Sequence, residues 1–364
     1  MFTQQDLDEA ITAGALSADA AASLRSFVDT RGATLSVDEE QFRLVNSFND
    51  IFVSIASAIL LFAVGWIGQS IGVSLGLGMS NGGLSPIAPA AVAATAWGLA
   101  TVFTGRRRMA LPSILLLLAF VGGVVAAVGA SLALVVGNDP SKVVASAVGA
   151  IAAASGAGAA WLHWRQFKVP ITIAAGAAAV AGLLLALLLA ALGDRVEDPK
   201  QLILGFTLVM GIGMFLFAMS WDASDPARVT RRSDVAFWIH LLAAPMIVHP
   251  IFTLLGLNDG TASIGEGLTV VALYVALGVT ALAIDRRALL VSALAYVLFA
   301  LSALFKQFGA IELNVALTAL LIGSALLMLS AYWHQARKLV VKLLPVPLQS
   351  KLPLLDRPSL QPAA

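Results

Sequence analysis

The sequence predicts an all-α polytopic membrane protein, a bundle of ten transmembrane helices. Hydrophobic residues make up 59% of the 364 residues and charged residues only 12%, and the mean hydropathy is +0.90. Soluble domains are about one-quarter charged, so a water-soluble core could not bury this much apolar surface. The apolar runs also lack the period-2 alternation of strands in a membrane β-barrel. Most of the chain is therefore expected to lie in lipid as helices.

Ten apolar runs each come close to the roughly 20 residues that a helix needs to cross the hydrocarbon layer. Tilt can absorb the small differences in their length. In chain order the predicted spans are about 51–71, 86–104, 110–136, 143–162, 169–192, 201–219, 235–256, 268–284, 288–305 and 310–332. The span 143–162 is rich in Ala, Gly and Ser, which allow close backbone approach. It is therefore predicted to lie near the centre of the bundle, with the span 86–104 as a second candidate.

The distribution of Lys and Arg predicts the orientation of these helices. If the N-terminus is cytoplasmic, the predicted outer loops carry four of the 22 Lys and Arg residues, and the other 18 face the cytoplasm. The four outer residues are Lys142, Arg195, Lys200 and Lys306. The positive-inside rule predicts such an excess for the correct topology. Both termini are therefore predicted to be cytoplasmic.

Two polar regions flank the predicted transmembrane domain of residues 50–333. The N-terminal unit, residues 1–49, is acidic and is predicted to be helical, with Ser17 as a helix cap and Ser36 opening a capping box. It could dock on the basic inner loops or simply face water. The tail, residues 334–364, mixes bases, prolines and apolar residues, and a helix on the membrane surface is predicted near 334–344.

Both polar regions carry a resemblance. The segments LDEAITAGALSADAAASLRSFV and DEEQFRLVNSFNDIFVSIA precede the apolar helices, and WHQARKLVVKLLP follows them. Together they resemble predicted bacterial integral-membrane proteins that are grouped as domains of unknown function. The resemblance implies a location in the bacterial inner membrane. It implies no activity.

The sequence has no motif that predicts an enzyme. There is no H-E-x-x-H, no G-x-S-x-G, no Walker A loop and no G-x-G-x-x-G after a strand. The chain has no cysteine, and its four histidines are too scattered for a metal cage. We therefore expect no catalytic residues, no metal, no cofactor and no nucleic-acid partner.

The predicted span 235–256 carries the strongest functional signal, because ionisable residues at membrane depth are costly and point to function. His240 and His249 lie on either side of Pro245. They are nine residues apart, so on a straight helix their rings point about 180° from each other. Asp234 is predicted to mark the cytoplasmic entrance. The alternative is that each neutral imidazole simply bonds a neighbouring helix.

Two prolines in the same span are predicted to bend the helix. Pro245 and Pro250 cannot donate hydrogen bonds to the carbonyls of Leu241 and Met246. A freed carbonyl beside an imidazole offers a step for a proton or a cation. The alternative is that the prolines are merely tolerated, as they commonly are in membrane helices.

A second set of polar residues is predicted at the outer side. Glu266 and Glu312 lie in the first turns of predicted helices, and Asn314 follows close by. If they meet His249, they would line an outward-facing vestibule. The alternative is that the helix macrodipole stabilises both carboxylates without further purpose.

The leading hypothesis is a secondary transporter or permease for a small solute, with proton coupling as a further hypothesis. The competing hypothesis is a non-transporting scaffold or sensor whose N-terminal unit binds a protein partner. A membrane-embedded enzyme is the third class. The lipid bilayer is a partner under each of them.

Overall fold

The computed structural model describes residues 11–14, 16–24, 48–78, 83–226, 228, 230–255, 264–307, 313–349, 352, 353 and 355. The chain divides into two compact units, one of residues 1–42 with 354–364 and the other of residues 43–353. In the first unit, residues 18–24 are helical, and the Ala20 N–H donates to Ser17 Oγ at 3.2 Å. Ser17 therefore caps this helix as predicted, whereas the capping box at Ser36 lies outside the described residues.

Helices account for all regular secondary structure in the described part of the second unit. They are α1 (Phe48–Ser74), α2 (Ile87–Ala100), α3 (Ala110–Val136), α4 (Lys142–Phe167), α5 (Ile171–Leu192), α6 (Lys200–Ala223), α7 (Arg231–Leu254), α8 (Ile264–Ile284), α9 (Ala288–Gln307), α10 (Asn314–Ala331), α11 (Trp333–Leu343) and α12 (Val346–Gln349). The helix α2 continues as the π-helical turn Thr101–Arg106, and α5 as the 3-10 turn Gly193–Arg195. The helices α1 to α10 coincide with the ten predicted apolar runs.

Eight helices of the described chain, α1 to α8, are long and apolar enough to cross a membrane. A ninth span results if α10 and α11, which meet at an angle of 78°, are counted as one. The helix α9 contributes a shorter apolar stretch, residues 289–302. The all-α class and a multi-pass membrane protein are therefore confirmed, while the number ten stays a prediction.

The helix α11 bends by 78° from α10, at the point where the composition changes. The helix α10 is almost wholly apolar, whereas α11 reads WHQARKLVVKL. Its buried residues, Trp333, Arg337 and Val341, recur every four positions and form one face. The helix predicted near 334–344 is thus present and packs one stripe against the bundle.

The helix α7 occupies the centre of the bundle. In the most apolar 18-residue segment of α7, 50% of the residues are buried. The corresponding fraction is 28% for α4, the helix predicted to be central because of its small residues. That prediction was wrong, although α4 does pack closely. A Cβ added at Gly156 would come within 2.5 Å of the Val125 side chain of α3. Small residues therefore allow close contact without deciding which helix is surrounded.

Consecutive helices are joined by short connections, so the chain runs up and down through the bundle. The helices α2, α4, α6 and α8 consequently end on the same side. We call this side the basic end, because it carries most of the basic residues between the helices. They are Arg106, Arg107, Arg108, Arg165, Lys168, Arg228, Arg286 and Arg287.

Candidate functional site

A buried group of three ionisable side chains joins three elements at the basic end. Arg286 donates from Nη2 to Oδ1 of Asp222 at 2.6 Å and from Nε to Oδ2 at 3.3 Å. His240 Nε2 lies 3.1 Å from the same Oδ2. The exposed fractions of the side chains of Asp222, His240 and Arg286 are 0%, 1% and 3%. We call these residues the Asp222 triad.

The turn between α8 and α9 directs Arg286 into the bundle. Asp285 has a left-handed backbone, with φ 56°, and its N–H bonds the Leu282 carbonyl. The N–H of Arg286 reaches back to the Ala281 carbonyl at 2.9 Å. These two bonds form a Schellman cap, in which Asp tolerates the left-handed position better than most residues do. The chain therefore reverses at Asp285, and the next side chain enters the space between α6 and α7.

Two other helices supply the rest of the triad's environment. Asp222 lies in the last turn of α6, and His240 lies in the third turn of α7. The carbonyl of Ser233 accepts a further hydrogen bond from Arg286 Nη2 at 3.1 Å. The ring of Phe215 packs edge-on against His240, with centroids 5.3 Å apart. The triad is thus closed off by α6 and α7 themselves.

A second cluster lies beside the triad and is centred on Asp285. Arg228 Nη1 lies 2.9 Å from Asp285 Oδ2, and Trp333 Nε1 donates to Oδ1 at 2.8 Å. Arg337 Nε lies 3.8 Å from Oδ1, and its Nη2 donates to the Pro353 carbonyl at 2.6 Å. This Asp285 cluster joins the α6–α7 connection and the α8–α9 turn to α11.

The charges of the two clusters are nearly balanced. Two carboxylates face three guanidinium groups, and His240 can add a further positive charge. Charges taken out of water are stable only when they are paired and hydrogen-bonded. Each carboxylate therefore holds more than one helix in place, and the loss of either would leave buried cations.

His240 has one nitrogen to spare. Its Nε2 faces Asp222, but its Nδ1 is buried and has no hydrogen-bond partner. If Nε2–H donates to the carboxylate, Nδ1 is an acceptor without a donor. The ring can therefore take up a proton at Nδ1 while its bond to Asp222 stays in place. A proton at Nδ1 would be a buried donor without an acceptor, so its uptake requires Nδ1 to reach water or a new acceptor.

The structure separates the two histidines of α7. His249 Nδ1 lies 2.6 Å from Tyr296 Oη of α9, on the exposed surface of the bundle, whereas His240 faces α6. Their different directions agree with the nine-residue spacing. The helix α7 stays one helix from Arg231 to Leu254, with both Pro245 and Pro250 inside it. The imidazoles thus serve two different helix contacts.

The carbonyl of Met246, which receives no helical hydrogen bond because Pro250 has no N–H, lies against α6. A methyl added at Gly211 would lie 2.8 Å from the carbonyl carbon of Met246 and 2.9 Å from its oxygen. Only a residue without a side chain permits this approach, and Cα–H···O contacts are common at such helix crossings. The Met246 carbonyl therefore packs on α6, and a freed carbonyl beside an imidazole stays a prediction.

The other predicted site residues are scattered. Asp234 is half-buried in the first turn of α7, next to Ser233, and lies close enough to Arg286 of the triad to interact with its charge. Glu266 is half-buried in the first turn of α8. Glu312 lies outside the described residues, and of Asn314 only the backbone position, at the start of α10, is described. The proposed outer vestibule therefore stays a prediction. Within the described part of the chain, no three His, Asp or Glu side chains are grouped as metal ligands.

Sequence reasoning missed Asp222 and interpreted Arg286 only as an inside anchor. Both lie at helix ends, where a charged residue is ordinarily solvated. His163 likewise lies near the end of α4, yet it is fully buried and its Nδ1 lies 3.1 Å from Thr172 Oγ1. The one available signal was an aspartate, in the sequence WDASD, directly after a long apolar run.

Comparison with known proteins gave no match. No family model matches the chain. No curated protein and no solved structure matches it either. The activity proposed below therefore rests on the geometry of these clusters.

Proposed function

We propose that this chain is a proton-coupled permease for a small solute in the bacterial inner membrane, with ten spans and both termini in the cytoplasm. The observation that carries the proposal is the Asp222 triad, which is buried where helices long enough to cross a membrane surround α7. Intramembrane charges are costly to insert and are found mostly on ion and substrate pathways. The resemblance of the terminal segments supports the inner membrane.

Protonation of His240 would change the balance of charge in the triad. With a neutral imidazole, Asp222 balances Arg286 alone. With an imidazolium, the same carboxylate faces two cations, and Arg228 is close by in the neighbouring cluster. The hold of Arg286 on α6 and α7 then weakens. The α8–α9 turn becomes a cytoplasmic gate whose two positions are biased by one proton.

The gate can be tested by thiol labelling, because the chain has no cysteine of its own. Position 233 is buried and is covered by Arg286, so Ser233→Cys reports whether Arg286 has moved. Ser224→Cys is a control at an exposed position at the same end of the bundle. Labelling of inside-out vesicles by a membrane-impermeant thiol reagent is compared from about pH 8 down to about pH 4, through and below the ordinary histidine titration. We expect the rate at position 233, divided by that at 224, to rise at the lower pH. An unchanged ratio would contradict the gate.

Transport itself can be measured in proteoliposomes that contain a pH-sensitive dye. A panel of amino acids, organic acids and sugars is added outside, and proton movement is followed for the unaltered chain and for Asp222→Asn. We expect at least one solute to move protons through the unaltered chain only. A panel without any response beyond empty liposomes, together with a pH-independent gate, would count against a permease.

Topology has a separate test. An even number of spans leaves both termini on one side, whereas nine spans would place them on opposite sides. Reporters fused to either terminus, one active only in the cytoplasm and one only outside it, distinguish the two cases. Ten spans with both ends inside requires the cytoplasmic reporter to be active at both termini.

A scaffold or sensor is the second candidate function, and one observation favours it. Residues 1–42 and 354–364 form one of the two compact units of the chain. Such a unit is a plausible platform for a protein partner. Deletion of residues 1–42 distinguishes the two functions, because a permease keeps its solute response and a scaffold loses its partner.

A further inference from the structure

An open cleft of about 140 Å³ lies between α8, α9 and α10. Val291 and Leu294 line it from α9, and Leu326 lines it from α10. Arg287 and Trp333 lie at its border on the basic end. Val291 is 65% exposed, so the cleft opens on the outer surface of the bundle. In a membrane that surface faces lipid.

Arg287 is held in place without being neutralised. Its guanidinium carbon lies 4.7 Å from the centre of the Trp333 ring, a cation–π contact. Trp333 is only 3% exposed, and its indole N–H is fixed by the hydrogen bond to Asp285. Across the described residues, no ion pair joins Arg287 to a carboxylate. A fixed cation therefore stands at the border of an apolar cleft.

We propose that this cleft binds an anionic phospholipid, with one acyl chain between α9 and α10 and the phosphate on Arg287. The apolar walls match a hydrocarbon chain, and the planar guanidinium matches a phosphate with two parallel hydrogen bonds. The basic end is the side on which the positive-inside rule puts the cytoplasmic leaflet, and that leaflet attracts basic residues through its anionic lipids. Free inorganic phosphate would use Arg287 but not the walls.

Two substitutions separate the headgroup from the acyl chain. Arg287→Gln removes the cation, and Val291→Trp fills the cleft from an exposed position. Arg232→Gln is the matched control, because Arg232 is an exposed arginine at the basic end that does not line the cleft. Melting temperatures in detergent establish that all three variants are folded.

Lipid occupancy is measured by native mass spectrometry with added phosphatidylglycerol or phosphatidylcholine. We expect the unaltered chain to retain phosphatidylglycerol preferentially, and Arg287→Gln to lower that occupancy about five-fold, the contribution of one basic residue near an anionic surface. Val291→Trp should lower the occupancy of both lipids, and Arg232→Gln should change neither.

Three results would overturn the site. An equal loss with Arg232→Gln would show general attraction of anionic lipid to the basic end. Undiminished phosphatidylglycerol binding by Val291→Trp would show that no acyl chain enters the cleft. Displacement of the lipid by millimolar inorganic phosphate alone would show that only the charge is recognised.

Discussion

His240 Nε2 lies 3.1 Å from Asp222 Oδ2, and both side chains are closed off from solvent within the helix bundle. The carboxylate also holds Arg286, so one residue of α6 fixes α7 and the α8–α9 turn. A contact of this kind is both a structural element and a site for a proton. The consequences for stability and for pH can be measured separately.

Asp222→Asn should destabilise the protein by about 3–5 kcal/mol, because it leaves Arg286 buried without its carboxylate. The measurement is unfolding by denaturing detergent, followed by circular dichroism. Asp194→Asn, at an exposed aspartate in the turn after α5, is the control and should change stability by less than about 0.5 kcal/mol. The double variant Asp222→Asn with Arg286→Gln should lose less than the sum of the two single losses. Additive losses would mean that the two residues do not act as a pair.

His240→Phe should have a smaller effect on stability and a larger effect on pH response. The phenyl ring keeps the contact with Phe215 and leaves Asp222 paired with Arg286, so we expect a loss of about 1–2 kcal/mol. The pH dependence of labelling at Ser233→Cys should disappear. If the pH dependence survives in this variant, His240 is not the group that binds the proton.

Tyr296→Phe tests whether His249 shares that role. The substitution removes the hydrogen bond to His249 at an exposed site, which should cost no more than about 1 kcal/mol. The labelling ratio at Ser233→Cys should keep its pH dependence. Loss of that dependence would show that the proton binds at His249, in its contact with Tyr296, and not at His240.

Gly211→Ala should separate α6 from α7. The added methyl would lie 2.8 Å from the Met246 backbone, and the strain should cost about 1–3 kcal/mol. Gly213→Ala is a control on the same helix, since nothing lies within 4 Å of its added methyl. The control should be neutral or stabilising by up to about 1 kcal/mol, because Ala favours a helix more than Gly does. Equal melting temperatures for the two variants would contradict the close approach.

Asp285→Asn should loosen α11. The substitution weakens the contacts of Asp285 with Trp333 and Arg337, which join the α8–α9 turn to α11. Trypsin should then cut at Lys338 and Lys342, both exposed on α11, several times faster than in the unaltered chain. Asp194→Asn is again the control and should leave the cleavage rate unchanged. An unaltered rate in Asp285→Asn would mean that other contacts hold α11.

The helices were predictable because span boundaries follow from the length of apolar runs. The ten predicted runs lie on α1 to α10, and the tail helix lies where its mixed composition indicated. The sequence also singled out His240 as an unusual residue. Its partners were not, because Asp222 is 18 residues away along the chain and Arg286 lies 64 residues from Asp222. The three residues lie on different elements, so no helical spacing along the sequence could indicate that their side chains meet.

The linear order of residues was enough to place this chain in a membrane and to delimit its helices. The reason is that hydrocarbon forces the backbone to satisfy its own hydrogen bonds, and helices do so locally. Packing decided what the charged helix ends do. The left-handed turn at Asp285 directs Arg286 inward, and Gly211 lets α6 approach α7. Because of these contacts, Arg286, which the sequence alone presents as an interfacial anchor, is part of a buried ionic site.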